Sequence, residues 1–179
     1  MAETVRLAAE AGLVGCTIDD ATGVSENPIY EFSLAVERIA AAARAARALP
    51  FPFVLTARAH NLLYPSQPGL EETIHRLQAF EAAGADVLFA PGLPDLNAVR
   101  AVCAAVTKPV NFMAGIKGKS FPVSELATAG VRRISLATSL YRAAMTGLLN
   151  AACEVKDRGQ FGFLDHCLTT PELIGLMRI

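Results

Sequence analysis

The feature of this sequence that most constrains its fold is a unit that occurs three times along the chain. In each unit an Ala-rich amphipathic stretch ends at an Ala-Gly dipeptide, which a short apolar run follows. The glycines are Gly12, Gly84 and Gly130, and each suits the positive φ that ends many helices. The apolar runs are short and bounded, which favours buried strands. The repeat therefore predicts a chain in which helices and strands alternate.

Two more apolar runs complete a set of five predicted strands. They lie at 51–58 and 109–113, and each follows a helical stretch and a proline. Strands that alternate with helices and are apolar on both faces form a parallel sheet that helices cover. The predicted strands cover 13–18, 52–57, 86–90, 109–113 and 132–136, and the predicted helices cover 2–11, 32–49, 70–83, 94–106, 122–129 and 138–157.

Two parallel α/β architectures fit this order: an open doubly wound sheet and a (β/α)₈ TIM barrel. No GxGxxG or GxxxxGK(S/T) motif follows a predicted strand, so the usual signature of nucleotide-binding sheets is missing from the sequence. Polar residues instead recur where strands end, which is where a barrel builds its active site. Because a barrel needs eight strands, we predict a partial TIM barrel of about five β/α units, the C-terminal five-eighths. The strand-end residues are Asp19, Asp20, Thr56, Arg58, Asn111, Ser135 and Thr138.

The composition indicates one domain over residues 1–179, with a C-terminal tail at 158–179 that carries a short helix. With 53% hydrophobic residues, the 179-residue chain can bury a sizeable core. The net charge of −1 gives no reason to expect nucleic acid or an anionic membrane as a partner. No apolar run reaches the about 20 residues of a membrane span, and the N-terminus lacks a signal-peptide pattern, so we expect a cytoplasmic protein. The four cysteines form no CxxC pair and are expected to be free thiols.

Four stretches of the sequence resemble the isocitrate lyase/phosphoenolpyruvate mutase superfamily. They are GCTIDDATG, FPFVLTARAHNLL, ADVLFAPGLPDL and AGVRRISLATSLYRAA, in an order and spacing that the family shares. The resemblance covers about residues 2–157 and points to small bacterial members of the carboxyvinyl-carboxyphosphonate phosphorylmutase type. It implies a TIM barrel that binds Mg²⁺ (or Mn²⁺) and a 2-oxo acid or related carboxylate. It also implies chemistry that makes or breaks C–C or P–C bonds beside that group.

The resemblance assigns roles to several strand-end residues. Asp19 occupies the place of an acidic residue that reaches the metal, commonly through water, and Asp20 is a weaker candidate for the same role. Arg58, the Arg of the TAR motif, takes the place of the residue that binds a substrate carboxylate. Thr56 and Asn111 are further candidates for substrate contact, and Asn111 with Arg58 for catalysis.

The sequence also departs from the family pattern. The family's principal metal-binding aspartates lie on strands that precede the one at 13–18, and no such strands are predicted in this chain. The segment ATGVSENPIYEF at 21–32 has neither the KxCGH motif of the isocitrate and methylisocitrate lyases nor the Lys-containing gating loop of phosphoenolpyruvate mutase. Many relatives have an acidic residue where His60 stands.

Each candidate residue has a structural alternative. Adjacent side chains on a strand point to opposite faces, so only one of Asp19 and Asp20 can face the barrel mouth, and the other is expected to cap or pair near the helices. A solvated turn before Gly23 is the alternative for both. Arg58 could form an ion pair instead of binding a ligand, and the Asn111 amide could be satisfied by backbone. His60 is interpreted as a solvent-exposed loop residue, and GIKGKS at 115–120 as a flexible loop whose lysines could meet an anion.

Two classes of function follow from these observations. The first is a Mg²⁺-dependent lyase that cleaves a C–C bond through a metal-stabilised enolate, with a phosphonate-forming or phosphonate-cleaving reaction as an alternative within the same superfamily. The second is an inactive barrel remnant that acts by self-association or by binding a partner. The helix at 138–157 has an apolar face, formed by Leu140, Ala144, Leu148 and Ala152, that needs burial. The resemblance implies a last helix that is exchanged between subunits of a dimer or tetramer, so we expect self-association, with packing on the same chain as the alternative. The tail helix is predicted to begin with Thr170 as N-cap and Pro171 at N1.

Overall fold

A computed structural model describes residues 1–177 of the chain and shows five parallel strands in one open sheet. The strands lie side by side in chain order, and each neighbouring pair is parallel. This arrangement confirms the predicted α/β fold of partial TIM-barrel type. The strands are β1 (Gly15–Asp19), β2 (Val54–Arg58), β3 (Val87–Phe89), β4 (Val110–Met113) and β5 (Val131–Ser135).

Helices connect the strands and follow the last one. The predicted strands and the six predicted inter-strand and terminal helices are all present, and their ends agree with the prediction to within two residues. The helices are α1 (Ala2–Glu10), α2 (Phe32–Arg47), α3 (Leu70–Ala82), α4 (Leu96–Ala105), α5 (Val123–Thr128), α6 (Ser139–Arg158) and α7 (Thr170–Met177), with 3₁₀ turns at Asn61–Leu63 and Gly162–His166.

The start of α7 differs by one residue from the prediction. The cap is Thr169, whose hydroxyl and backbone N–H both donate to the Glu172 carboxylate, while the Glu172 backbone N–H donates back to the Thr169 hydroxyl. This reciprocal pair is a capping box, which Thr170 cannot form because Glu172 is only two residues away from it. The last two residues of the predicted tail, 178–179, lie outside the described residues.

One face of the sheet packs against helices and forms the core. Side chains at alternate positions of the strands, such as Ile18, Leu55 and Leu88, are buried in one apolar cluster together with Ile39 of α2 and Leu77 of α3. The free energy gained by removing these apolar side chains from water holds the helices against the sheet.

The other face of the sheet carries most of the polar strand residues, and we call it the polar face. It is defined by the alternate positions of the same strands, because successive side chains on a strand point to opposite faces. Its residues are Thr17 and Asp19 of β1, Thr56 and Arg58 of β2, Asn111 of β4, and Arg133 and Ser135 of β5.

The Ala-Gly repeat has the conformation that the sequence predicts. Gly12, Gly84 and Gly130 have φ of 86°, 104° and 103°, which is the region that only glycine adopts without strain. Each glycine ends a helix and directs the chain into the next strand. The repeat therefore marks the turning points between helix and strand.

The chain forms two compact units, residues Met1–Ala137 and Thr138–Ile179. The first contains the whole sheet and helices α1 to α5. The second contains α6 and α7, and among its described residues α6 has none that is buried. The predicted apolar face of α6 is thus exposed within the chain, and the single-domain interpretation of residues 1–179 stays a prediction.

Two other expectations concern membranes and cysteines. None of the helices in the described part of the chain is both long and apolar enough to cross a membrane. All four cysteines are free thiols, and Cys153 and Cys167 are exposed.

We expect substitution of Gly130 by Ala to destabilise the protein more than substitution of Gly12. Both positions have positive φ, which costs an Ala about 1–2 kcal/mol. An added Cβ at Gly130 would also lie 2.8 Å from the Cys103 Cβ, whereas at Gly12 it meets no atom of the described residues within 4 Å. Overpacking of this kind costs about 1–3 kcal/mol more. Urea denaturation of both variants checks this, and equal losses in the free energy of unfolding would contradict it.

Candidate functional site

The polar face brings five side chains from five strands into one row across the sheet, and the first three of them are the last residues of their strands. Asp19 pairs in register with Arg58, Arg58 with Phe89, Phe89 with Asn111, and Asn111 with Arg133. Neighbouring residues in register on a parallel sheet point to the same face. The row therefore places a carboxylate, a guanidinium, an aromatic ring, an amide and a second guanidinium side by side.

Asp19 and Arg58 form the centre of the site. The Arg58 Nε lies 3.7 Å from the Asp19 Oδ1, and both of these atoms are buried without a hydrogen-bond partner among the described residues. The guanidinium carbon of Arg58 lies 4.8 Å from the centre of the Phe89 ring, which is close enough for a cation–π contact. The Phe89 ring on one side and the Asp19 carboxylate on the other restrict the orientation of the planar guanidinium of Arg58.

His60 completes this group, although the sequence interpretation made it a solvent-exposed loop residue. That interpretation is wrong, because the His60 side chain is only 13% exposed. Its Nε2 lies 3.0 Å from the Arg58 Nη2, and its Nδ1 lies 3.7 Å from the Asp19 Oδ2. Burial lowers the pKa of His60, and the positive charge of Arg58 lowers it further, whereas the Asp19 carboxylate raises it. His60 therefore sits between the two charged groups as a neutral imidazole.

Asp20 points to the opposite face, as the alternation along β1 requires. Its Oδ1 accepts a hydrogen bond of 2.8 Å from the His60 backbone N–H, and its Oδ2 accepts one of 3.3 Å from Arg76 Nη1. Burial raises the pKa of the Asp20 carboxyl, while these hydrogen bonds and the charge of Arg76 act in the other direction. Both carboxylate oxygens of Asp20 thus accept hydrogen bonds on the side of the sheet that faces the helices. Of the two adjacent aspartates, Asp20 is therefore the one that pairs near the helices.

Arg76 connects three segments around the site. Besides Asp20, its Nη1 donates to the Tyr30 carbonyl, and its Nε donates to Glu72 Oε1 at 2.7 Å. The Tyr30 backbone N–H also donates to the Asp20 carbonyl at 2.8 Å, so the loop at 21–31 returns to the end of β1. This network fixes the segments that follow β1 and β2 relative to each other.

Asn61, next to His60, has a structural role. Its buried amide nitrogen donates to the carbonyls of Pro68 and Gly69 and to the Thr73 hydroxyl. These contacts hold the loop between β2 and α3 in place. They do not direct Asn61 to the polar face.

Asn111, Ser135, Thr56 and Arg133 extend the site across the polar face. The Asn111 Nδ2 donates to the Ser135 hydroxyl at 3.1 Å, while its buried Oδ1 has no hydrogen-bond partner among the described residues. The Arg133 Nη1 donates to the buried Thr56 hydroxyl at 3.1 Å, across β3 and β4. Thr56 therefore lies deeper on the face than Arg58 and is engaged with Arg133.

The comparisons with known proteins agree with this fold. The family model described as phosphoenolpyruvate phosphomutase matches residues 1–156, which is most of the chain. The chain belongs to the phosphoenolpyruvate phosphomutase family. A comparison with curated proteins gave no significant match.

Solved structures of the family show the same fold. A protein described as a lyase/mutase from Burkholderia cenocepacia J2315 is 48% identical with a TM-score of 0.94, over 99% of this chain and 64% of its own. A 2,3-dimethylmalate lyase is 26% identical with a TM-score of 0.78, over 96% of this chain and 60% of its own. An oxaloacetate acetylhydrolase in complex with its product oxalate is 26% identical with a TM-score of 0.79, over 97% and 60%. The chain thus spans less than two thirds of the length of these family members.

The metal that the family resemblance implies has a limited set of donors here. Among residues 1–177, no group of three or more His, Cys, Asp or Glu side chains is placed to hold a metal ion. Asp19 does fit one contact, because its Oδ1 lies on the polar face without a hydrogen bond to other described residues. Mg²⁺ keeps several waters and binds through one or two carboxylates plus substrate oxygens. Asp19 suits such a water-mediated contact, and Asp20, with both oxygens engaged, does not.

Sequence reasoning missed three residues of this site. Phe89 and Arg133 lie within predicted strands, and the alternation of side chains placed them on the polar face once the strand register was known. Arg76 lies in the middle of a helix, 56 positions from the Asp20 that it binds. No local pattern marks a contact over that separation.

We expect Asp20→Asn to destabilise the fold and Asp19→Asn to leave its stability nearly unchanged. Asp20 is buried and binds Arg76, which is itself 9% exposed, so removal of its charge leaves a buried cation with less compensation. Loss of a buried charge partner costs about 3–5 kcal/mol, part of which Glu72 offsets. Asp19 is 39% exposed, and we expect a change below about 1 kcal/mol. Thermal and urea unfolding check this, and a larger loss for Asp19→Asn would contradict it.

Proposed function

We propose that this protein is a Mg²⁺- or Mn²⁺-dependent lyase that cleaves a C–C bond of a 2-oxo acid or a small dicarboxylate. The observation that carries the proposal is the row on the polar face, in which Arg58 and Asp19 lie side by side at the ends of β2 and β1. Family members of known structure support the substrate class, since one is a 2,3-dimethylmalate lyase and another holds oxalate. A cytoplasmic location remains a prediction from the sequence.

Arg58 binds the carboxylate of the substrate in this proposal. A planar guanidinium matches a carboxylate with two parallel hydrogen bonds, and the Phe89 ring and His60 hold its plane in one orientation. The cation also faces the negative charge that develops as the C–C bond breaks. A fixed cation at that place lowers the energy of the transition state.

Two orphaned oxygens on the polar face are further contact points for a ligand. Asn111 Oδ1 and Asp19 Oδ1 are buried and lack hydrogen-bond partners among the described residues. A buried polar atom without a partner costs about 1–3 kcal/mol, and a bound ligand with its water would remove this cost. Asn111 orients the substrate, and Asp19 contacts the waters of the metal. When bound, the ion supplies positive charge that stabilises the enolate of the product.

The first test is release of a 2-oxo acid from a panel of 2-hydroxy and 2-oxo dicarboxylates with Mg²⁺ or Mn²⁺, with phosphonates included. We expect turnover of a dicarboxylate that is lost on chelation of the metal. Turnover of a phosphonate alone would favour the mutase or hydrolase chemistry of the same superfamily. No turnover and no ligand binding at high protein concentration would overturn the lyase proposal for this chain.

The second test replaces the proposed carboxylate-binding residue. Arg58→Lys keeps the positive charge but loses the planar pair of N–H donors that matches a carboxylate. We expect the affinity for oxalate, measured by calorimetry, to fall by about tenfold or more, which corresponds to about 1.4 kcal/mol of binding free energy. Arg100→Gln is the control, because Arg100 lies on α4, away from the polar face, and its exposed side chain donates to Asn97 among the described residues. Equal affinities for Arg58→Lys and the unchanged protein would contradict the role of Arg58.

The second candidate function is self-association, and the exposed apolar surface of α6 favours it. None of the described residues of α6 is buried, yet the helix carries Leu140, Tyr141, Leu148 and Leu149 at 60% exposure or more. Leu173, Ile174, Leu176 and Met177 of the tail are exposed as well. An apolar surface of this size on one unit is typical of an oligomer contact. We propose a dimer or tetramer in which a second copy covers this surface.

We expect Leu140→Glu to reduce the sedimenting mass of the protein toward that of a monomer. A charge on a buried contact surface costs more than the contact gains, so the subunits separate. Val123→Glu is the matched control, since Val123 on α5 and Leu140 are both 69% exposed. Analytical ultracentrifugation distinguishes them, and dissociation by both variants or by neither would contradict an interface that is specific to α6.

A further inference from the structure

The contact between Arg58 and His60 determines which nitrogen of the imidazole carries a proton. Arg58 Nη2 and His60 Nε2 lie 3.0 Å apart, which is hydrogen-bond distance. A guanidinium has only hydrogen-bond donors and stays protonated in proteins, so it cannot accept a hydrogen bond from the imidazole. His60 Nε2 must therefore be the acceptor, and the proton of the neutral ring lies on Nδ1.

The other side of the ring agrees with this assignment. His60 Nδ1 is buried and has no hydrogen-bond partner among the described residues, and its nearest acidic atom is the Asp19 Oδ2 at 3.7 Å. This distance is too long for a hydrogen bond, but an N–H at that place points its positive end to a carboxylate. Because Nε2 accepts from the guanidinium, it carries no proton, and the ring is neutral.

The backbone of His60 is fixed independently of its ring. The His60 N–H donates to the buried Asp20, and the Asp20 carboxylate is held by Arg76 from α3. The ring thus has a rigid attachment from which it can restrict the more exposed Arg58. A neutral imidazole accepts from Arg58 without adding a second negative charge beside the guanidinium, where Asp19 already supplies one.

We propose that His60 is a positioning residue for Arg58: as the Nδ1–H tautomer, it accepts a hydrogen bond from the guanidinium and fixes the fork without neutralising it. This inference rests on the proposed function in one respect, namely that Arg58 binds the carboxylate of the substrate. The tautomer and the contact with Arg58 do not depend on any ligand.

The first experiment measures the ring directly by ¹⁵N NMR of the full chain labelled at histidine. We expect His60 to have a protonated Nδ1 and a bare Nε2, and Arg58→Met to abolish this preference because the donor is removed. Only three histidines are present, and His75→Gln and His166→Gln, both at exposed positions, assign the other two signals by removing them. An Nε2–H tautomer in the unchanged protein, or spectra of His60 that Arg58→Met leaves unchanged, would overturn the proposal.

The second experiment measures oxalate binding by calorimetry in two variants. His60→Leu lacks an acceptor, and we expect oxalate affinity to fall about tenfold, whereas His60→Gln keeps a neutral acceptor and restores much of the loss. If His60 served only to pack this part of the fold, His60→Leu and His60→Gln would lower oxalate affinity equally. That result would overturn the positioning role. If the unchanged protein binds no oxalate, the proposed function fails, and the NMR result alone decides whether His60 holds Arg58.

Discussion

The parallel pairing of β1 with β2 is the constraint on which the site depends. It places Asp19 directly beside Arg58, and because successive side chains alternate between faces, it sends Asp20 to the helix side. One register thus separates two adjacent carboxylates into different roles. Asp19 joins the polar face with Arg58, while Asp20 binds Arg76 and the backbone of His60. A shift of one residue would exchange the two and bury the wrong charge.

The buried pair of Asp20 and Arg76 links the core to the chemistry. Arg76 also holds the Tyr30 carbonyl and Glu72, so the loop after β1, the end of β2 and α3 meet at one guanidinium. Pairs of this kind contribute little net stability, but they fix geometry, since breaking one partner leaves a buried charge. In this chain the fixed geometry is that of the backbone on which His60 stands. The charged pair therefore supports the site from the helix side of the sheet.

The polar face carries several buried polar atoms that are not satisfied. The Oδ1 of Asp19, the Nε of Arg58, the Nδ1 of His60 and the Oδ1 of Asn111 lack hydrogen-bond partners among the described residues. Folded proteins satisfy most such atoms, and the exceptions need an explanation. The proposed function, in which this face would receive an anion and a hydrated cation, accounts for all four atoms together. The family to which the chain belongs includes proteins that act on small carboxylates, which agrees with this explanation.

The sequence by itself determined the order of helices and strands, because the Ala-Gly repeat and the short apolar runs are local signals that survive into the fold. It also placed Asp19 and Arg58 at the ends of their strands, where parallel strands gather their polar residues, whereas Asn111 is the second residue of β4. The tertiary structure alone decided which carboxylate faces the site, that His60 is buried against Arg58, and that Arg76 reaches Asp20 from a helix 56 positions away. These features depend on strand register and on packing between distant segments, and no local pattern of residues encodes either one.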